Sequence, residues 1–262
     1  MSLSMPKGPQ RIVCLTEEPT EILYALGEQH RIVGISAYTE RPPEARRDKP
    51  VVSAFIDGSL SKIAALKPDL IIGFSDIQSK LAAKLIAANM QVLIFNQRSI
   101  QEILEVIGNI GSLVGARDSA NTLICEYIKG IEETQDRAAK RNNRPKVYFE
   151  EWDEPMISGI EWVSELIEIA GGQDIFADKS KGKLARERFV TSEQVIKANP
   201  DVMLASWCGK AFKREEVVVR DGWQAISAIK SGRIHEIAAA EILQPGPACL
   251  TAGLQAIEKA LG

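Results

Sequence analysis

Two acidic pairs follow short apolar segments of this chain, and they are the first side chains that could do chemistry. Glu17-Glu18 comes directly after one such segment, and Glu150-Glu151 comes after another and is followed by Trp152. Paired carboxylates can serve as general acid and base when a partnered base or a metal stands beside them. Neither pair has such a partner close by in the sequence, so both are expected to be solvated.

Sequence signatures of enzymes and of metal sites are absent. The chain has no G-x-S-x-G elbow, no phosphate-binding P-loop and no G-x-G-x-x-G after a strand. His30 and His235 have no second histidine at ligand spacing. We therefore predict that the protein is not an enzyme and holds no metal or cofactor. The cysteines form no C-x-x-C and are expected to be small core residues; they are Cys14, Cys125, Cys208 and Cys249.

Aromatic residues stand near these acids and at similar positions elsewhere, although they make up only 6% of the chain. Phe74, Trp152 and Trp207 end or follow apolar segments, and Tyr38 and Phe55 lie in neighbouring loops. Each one alone is as well explained as an ordinary core residue. Several at one edge of a fold form the apolar wall that is typical of a ligand pocket. The pattern therefore predicts an aromatic-walled cleft for a small molecule.

A framework of alternating strands and helices is needed to place these residues, and the hydrophobic pattern predicts one. Apolar runs at residues 11–15, 30–35 and 70–74 alternate with helical periodicity at residues 20–26 and 100–113. This alternation is typical of parallel βαβ units. Ligands of such sheets bind beyond the carboxyl ends of the strands.

The pattern of helix, Pro-Asp, buried strand and aromatic residue occurs twice. Pro68-Asp69 leads to Phe74 in the first half, and Pro200-Asp201 leads to Trp207 in the second. A polar helical segment over roughly residues 116–141 separates the halves, and a strand is expected to follow at 146–149. We predict an α/β fold of two Rossmann-like lobes with parallel sheets, joined by one long rigid α-helix. The predicted boundaries are 11–115, 116–144 and 145–262.

Charge and hydropathy exclude two classes of partner. The 32 basic and 35 acidic residues give a formal net charge of −3, so the basic surface of a nucleic-acid-binding protein is missing. No apolar run reaches the roughly 18 residues of a membrane span, and the chain is predicted not to span a membrane. The first residues have no apolar core of the signal-peptide kind. Periplasm, cell envelope and cytoplasm therefore stay open as compartments.

Several segments share their sequence pattern with one known family. They are residues 11–15 with 19–27, 31–35 with Tyr38 and Pro42-Pro43, 63–71, 170–176 and 244–247. Over about residues 11–260 the chain resembles the ABC-transporter substrate-binding proteins for cobalamin and iron complexes. It is most similar to the cobalamin-binding branch, through residues 148–152 and 206–209.

The resemblance implies a ligand held without catalysis in a cleft between two lobes and handed to an ABC permease. It implies contacts with a corrin from Tyr38, Phe55 and Trp152, although the position of Phe55 is often tryptophan in the family. It also implies that Glu18 and Pro19 offer backbone amides to the ligand.

Four further ligand contacts or alternatives complete the predicted site. Phe74 and Trp207 are added by the internal repeat. Trp162 is either a cleft aromatic or a residue of helix packing, and both interpretations stay open. Gln244 lies in a segment that often carries arginine in the family.

Permease docking is implied for a glutamate on each lobe. Glu193 holds this position in the second lobe, but its repeat partner in the first lobe is Ser61. That departure keeps open a cobalamin-handling protein of the cytoplasm that serves no transporter.

Two other functions remain on the same fold. A ferric-siderophore or haem binder would favour arginines, for which Arg41, Arg186 and Arg188 are the candidates. An enzyme like a chelatase or a nitrogenase component is supported by analogy of fold alone.

Overall fold

The computed structural model describes residues 7–54 and 56–262. The chain forms two compact units. Unit 1 comprises the described residues up to Gln97 together with Gln101–Glu126, and unit 2 comprises Arg98–Ile100 and Tyr127–Gly262. The predicted α/β fold with parallel sheets in two units is confirmed, whereas the predicted lobe boundaries stay predictions.

Unit 1 contains a mostly parallel sheet with helices between its strands. Its described strands are β1 (Ile12–Cys14), β2 (Ile32–Ser36), β3 (Val51–Ala54), β4 (Asp57–Gly58), β5 (Leu70–Phe74) and β6 (Val92–Phe95). The helices in this part of the chain are α1 (Glu17–Ala25), α2 (Pro43–Asp48), α3 (Leu60–Ala65), α4 (Ser79–Ala87) and α5 (Ile100–Val114). The strands lie in the order β4-β3-β2-β1-β5-β6, and β4 runs antiparallel to β3. The topology reverses direction beside β1, between β2 and β5, which is where such sheets bind ligands.

Two elements of unit 1 begin elsewhere than the hydrophobic pattern predicts. Helix α1 begins at Glu17 rather than at residue 20, because the first turn of a helix favours acidic residues and tolerates proline. Strand β2 begins at Ile32 rather than at residue 30, since Gln29–Arg31 forms a turn of 3₁₀ helix. Strand β5 matches its predicted span.

Unit 2 contains a second sheet. Its described strands are β7 (Lys146–Asp153), β8 (Met156–Ser158), β9 (Gln173–Asp174), β10 (Val202–Ala205) and β11 (Ile234–Glu236). After α6 (Arg117–Ala139), the helices are α7 (Glu161–Ile169), α8 (Ala177–Ser180), α9 (Ser192–Ala198), α10 (Arg214–Val218), α11 (Ser227–Ser231), α12 (Ala239–Ile242) and α13 (Leu254–Leu261). The order is β11-β10-β7-β8, with β9 also paired to β7.

Strand β7 continues beyond the predicted residues 146–149 and ends at Asp153. Its second half pairs with the antiparallel strand β8, where Glu150 faces Ser158 and Trp152 faces Ile157. The acidic residues have low strand propensity, so the extension depends on a partner strand rather than on the local sequence.

The internal repeat has a structural counterpart at its Pro-Asp step. Lys67 and Asn199, which precede the two prolines, both adopt a left-handed backbone conformation. The Asp69 carboxylate accepts two backbone N–H groups before β1, at 2.7 and 2.9 Å. Asp201 accepts the first backbone N–H of β7 at 2.9 Å. The same step therefore anchors the first strand of each sheet.

Helix α6 begins in unit 1 and ends in unit 2. At 1.5 Å per residue, its 23 residues extend roughly 35 Å. Most of its side chains are exposed, whereas Ile131 and Thr134 are buried. No helix within residues 7–54 and 56–262 combines the length and apolar character that crossing a membrane requires.

Candidate functional site

The carboxyl ends of β7 and β10 lie side by side in unit 2, because the two strands are parallel neighbours with Ala205 opposite Glu150. We call the group that follows from this arrangement the strand-end cluster. Its members are Glu150, Glu151, Trp152, Asp153, Trp207 and Lys210. The cluster brings Trp152 and Trp207 together, as the sequence predicts for two aromatic residues of a ligand site.

Glu150 is the buried centre of the strand-end cluster. Its fully buried carboxylate accepts hydrogen bonds from the Tyr148 hydroxyl at 2.9 Å and the Trp207 indole at 3.0 Å. Arg220 donates two more, at 2.6 and 2.9 Å. Burial and the adjacent Glu150 charge raise the pKa of Tyr148 well above its usual value. The bidentate pairing with Arg220 holds the Glu150 carboxylate in place. The carboxylate in turn holds Trp207 through the indole N–H.

Lys210 lies against the two indole rings of the cluster. Its Nζ is 4.6 Å from the ring centroid of Trp152 and 4.6 Å from that of Trp207. The same ammonium contacts the Asp153 carboxylate at 2.5 Å. Partial burial opposes ionisation of Asp153, but the Lys210 hydrogen bond and charge keep its pKa below the usual value. Phe212 packs edge-on against Trp207 at 5.0 Å.

Glu151 pairs with a second buried cation. Arg188, whose side chain is 4% exposed, donates to the two oxygens of Glu151 at 2.5 and 3.0 Å. It also donates to the Ser158 carbonyl at 2.6 Å. The expectation that this acidic pair is solvated is therefore wrong. Arg220 and Arg188 are far from this acidic pair in the sequence, so the sequence does not show that they are its partners. The one sequence feature that could have predicted buried cations is two consecutive acids in a strand, because buried acids require compensating charge.

The acidic pair of unit 1 lies beside the reversal point of its sheet, directly after β1. Glu17 and Glu18 are both buried in the first turn of α1. Burial, with added repulsion from Glu18, Glu40 and Glu21, raises the pKa of Glu17 to about 8. Burial also raises the pKa of Glu18 to about 7, against the opposing effect of the Thr16 hydroxyl.

No cation is among the groups that act on these two pKa values. The expectation that Glu17 and Glu18 are solvated is wrong as well. The cause is that both follow a fully buried strand and turn at once into a buried helix.

The other predicted ligand contacts of unit 1 differ in exposure. Tyr38 is half exposed in the loop after β2, and Phe74 is buried at the end of β5. Pro19 is buried in α1 and has no backbone N–H, so only Glu18 of this pair has an amide to offer. Phe55 lies outside the described residues. Contact of these residues with a ligand stays a prediction.

Trp162 and Gln244 complete the predicted ligand residues. Trp162 is buried in α7 and donates its indole N–H to the Ile242 carbonyl at 2.8 Å, the geometry of the helix-packing interpretation. Gln244 is partly buried after α12. Of the predicted docking residues, Ser61 is exposed in the first turn of α3 and Glu193 in the first turn of α9.

Two further features were not predicted from sequence. Unit 1 has a surface pocket of about 450 Å³ whose lining includes Ile56, Asp57, Ile77, Lys80 and Lys84. In addition, Cys125 and Cys208 are exposed, so the prediction of four core cysteines holds only for Cys14 and Cys249. Hydrophobic composition alone does not separate a core cysteine from one on a polar helix or turn.

The described part of the chain brings together no three His, Cys, Asp or Glu side chains in a group suited to a metal ion. The three acids of the strand-end cluster are instead paired with cations: Asp153 with Lys210 of the cluster, and Glu150 and Glu151 with Arg220 and Arg188 outside it. What the cluster offers is the partly exposed indole of Trp152 beside the indole of Trp207, which is 3% exposed and packs in the core of unit 2.

Comparison with known proteins places the chain among transport-related binding proteins. An ABC transporter substrate-binding lipoprotein of Bacillus subtilis is 27% identical over 254 residues, which covers 94% of this chain and 78% of the relative. The vitamin B12-binding protein of Vibrio cholerae is 26% identical over 260 residues, covering 95% and 88%.

Solved structures share the fold. The periplasmic vitamin B12-binding protein of Vibrio cholerae superposes with a TM-score of 0.76 at 23% identity, covering 98% of each chain. The periplasmic heme-binding protein of Roseiflexus superposes with a TM-score of 0.81 at 24% identity, covering 97% of this chain and 100% of its own. The sequence profile of the periplasmic binding protein family matches residues 12–240. The resemblance is thereby confirmed, and this chain belongs to the periplasmic binding protein family.

Proposed function

We propose that the protein binds cobalamin or a closely related corrinoid and delivers it to an ABC transporter without catalysing a reaction. The observation that carries the proposal is the pair of indole rings in the strand-end cluster, Trp152 and Trp207, which converge on one cation. Relatives that bind vitamin B12 and cover nearly the whole chain support the same ligand.

Trp152 suits a planar ligand because its ring is partly exposed and held in place, with the buried ring of Trp207 beside it. Trp207 is fixed by Glu150 and Phe212, and Trp152 donates its indole N–H to the Glu154 carbonyl at 2.9 Å. Aromatic surfaces held in place lose little conformational freedom when a ligand stacks on them.

The pairing of charges favours a corrin over a ferric siderophore. Arg188 is engaged with Glu151, and Arg41 pairs with Glu21 at 3.1 Å. A ligand rich in negative charge would have to break these pairs, whereas the amide-rich edge of cobalamin makes no such demand. The same pairing supports a role without catalysis, since the cluster acids are engaged by cations.

Delivery to a permease would use exposed charge. Glu193 is exposed at the start of α9 and is the docking residue we propose for unit 2. Ser61 stands at the corresponding place in unit 1 and offers a hydroxyl instead of a charge. Charged pairs mainly steer and orient association, so we expect Glu193→Gln to slow docking more than Ser61→Ala does.

The test is a titration of the purified protein with cyanocobalamin, followed by tryptophan fluorescence and calorimetry, with haemin and a ferric siderophore in parallel. We expect saturable one-to-one binding of cyanocobalamin. Trp152→Ala should raise the Kd by roughly 5- to 150-fold, since buried aromatic anchors contribute about 1–3 kcal/mol.

The matched control is Phe189→Ala, which removes a partly exposed aromatic side chain of unit 2 outside the cluster. Its Kd should equal that of the wild type. An unchanged Kd for Trp152→Ala would remove Trp152 from the site. Binding of haemin or the siderophore alone would transfer the function to that ligand.

A further inference from the structure

We propose that Lys210 determines ligand specificity by competing with the ligand for the indole faces of the strand-end cluster. The proposal rests on the proposed function and refines it. Trp152 is partly exposed, whereas Trp207 is buried, so a planar ligand would stack on Trp152 and must displace the Lys210 ammonium that lies on both rings. The protein therefore discriminates between ligands by whether the edge of the ligand carries a carboxylate that can bind the displaced ammonium.

The ammonium of Lys210 is the present occupant of these faces. It lies 4.6 Å from both ring centroids, within the range of cation–π attraction. Asp153 supports it with a carboxylate contact of 2.5 Å. These three contacts give the ammonium a defined place that a stacking ligand would have to take.

The rings do not depend on Lys210 for their own positions. Trp207 is anchored by Glu150 at 3.0 Å and by the edge-on ring of Phe212. Trp152 is anchored by its hydrogen bond to the Glu154 carbonyl. Removing the ammonium should therefore expose more of the Trp152 face without collapsing the site, while Trp207 stays packed in the core.

Lys210 is also free to leave. Its side chain is 38% exposed, and its flexible four-carbon stem can carry the ammonium outward while its backbone stays in place. Gly209, just before it, has φ +79°, a left-handed turn conformation that glycine adopts at little cost.

The displaced ammonium would then reach the edge of the ligand. Cobalamin presents neutral amides there, which give an ammonium a weaker contact than Asp153 does. Haem presents propionate carboxylates, which are charge-matched partners for a lysine. Lys210 should thus weaken binding of amide-edged rings and strengthen binding of carboxylate-edged rings.

The experiment measures the Kd of cyanocobalamin and of haemin for the wild type, Lys210→Met and Lys210→Arg. We expect Lys210→Met to tighten cyanocobalamin about three- to tenfold and to weaken haemin by a similar factor. Lys210→Arg keeps a cation on the rings and should stay within about twofold of the wild type. Failure of Lys210→Met to tighten cyanocobalamin, or a shift of both ligands in one direction, would overturn the proposal.

The matched control is Lys213→Met. Lys213 lies in the same loop region, but its ammonium contacts Glu216 at 2.6 Å rather than the indoles. Both ligands should bind this variant as they bind the wild type. Circular dichroism checks that each variant is folded.

A readout without ligand separates this proposal from the proposed function. If the wild type binds neither cyanocobalamin nor haemin, the proposed function fails, and accessibility of the indoles still tests the competition. Acrylamide, an uncharged quencher, should quench tryptophan fluorescence more strongly in Lys210→Met than in the wild type or in Lys213→Met. The increase should shrink in a Trp152→Phe background. Equal quenching in Lys210→Met and the wild type would show that Lys210 does not cover the rings.

Discussion

Glu17-Glu18 follows the first strand of unit 1, and Glu150-Glu151 lies in the second half of the first strand of unit 2. The charges around the two acidic pairs are nevertheless opposite. In unit 2 the acids accept bidentate hydrogen bonds from Arg220 and Arg188. In unit 1 the acids are buried, no cation is among the groups that act on their pKa values, and these values rise to about 8 and about 7.

The backbone explains how this difference arises. The chain of unit 1 turns into helix α1 at Glu17, so both carboxyls are enclosed at the start of that helix. The chain of unit 2 stays extended because β8 pairs with the end of β7, with a register shift between Glu150 and Trp152, and each of the two acids meets its own arginine. The helix or strand that carries an acidic pair therefore decides whether the two carboxyls are enclosed without compensating charge or paired with cations.

The largest effect should come from breaking the buried pair of unit 2. Arg220→Ala leaves the fully buried Glu150 carboxylate without its bidentate partner, and we expect a loss of about 3–5 kcal/mol in the free energy of unfolding. Urea denaturation measures it. Arg186→Ala, which removes an exposed arginine of the same unit, should change stability by less than about 0.5 kcal/mol. A loss below about 1 kcal/mol for Arg220→Ala would contradict the role given to burial.

The next effect is a pH dependence from unit 1. Because the folded-state pKa values of Glu17 and Glu18 lie above the ordinary value of 4.5, their contribution is fully present below pH 4.5. It is lost as the pH rises through about 7 and 8. We expect the free energy of unfolding to fall by several kcal/mol between pH 5 and pH 8, because both carboxyls must ionise while buried in the folded state.

The double variant Glu17→Gln with Glu18→Gln should flatten this pH profile and be more stable than the wild type at pH 8. Glu44→Gln, at an exposed glutamate of α2, serves as the control and should keep the wild-type slope. Urea denaturation at a series of pH values measures the profiles. A double variant that retains the full slope would place the titrating groups elsewhere.

The smallest effect should come from the pair of Lys210 and Asp153 in unit 2, whose side chains are 38% and 15% exposed. Asp153→Asn removes the carboxylate that contacts Lys210, whose side chain is 38% exposed. Exposed ion pairs typically contribute less than about 1 kcal/mol, so thermal and urea unfolding should change little. A loss above about 2 kcal/mol in the free energy of unfolding would mean that an ion pair contributes strongly to stability even without full burial.

The fold was predictable where the local pattern is strong. Strand β5 matches its predicted span, and the Pro-Asp repeat correctly identifies corresponding positions in the two sheets. The extension of β7 to Asp153 was not predictable, because it depends on pairing with β8 rather than on the residues of β7. The early start of α1 was missed because a buried Glu-Glu-Pro resembles an exposed turn in sequence.

The candidate site was predictable in its residue types more than in its contacts. The sequence pattern predicts that Trp152 and Trp207 lie near strand ends, and the parallel pairing of β7 and β10 brings both close to Lys210. Lys210 was missed because no periodicity marks a lysine that will lie on two indole rings.

Hydrophobic periodicity and short motifs act through neighbours along the chain, and they are sufficient to give the alternation of strands and helices, the internal repeat and the family. The charge state of Glu17 and Glu18, the pairing of Glu150 with Arg220 and the place of Lys210 are set by burial and by residues far away in the sequence. Desolvation and Coulomb attraction depend on distances in three dimensions, which appear only once the chain has folded.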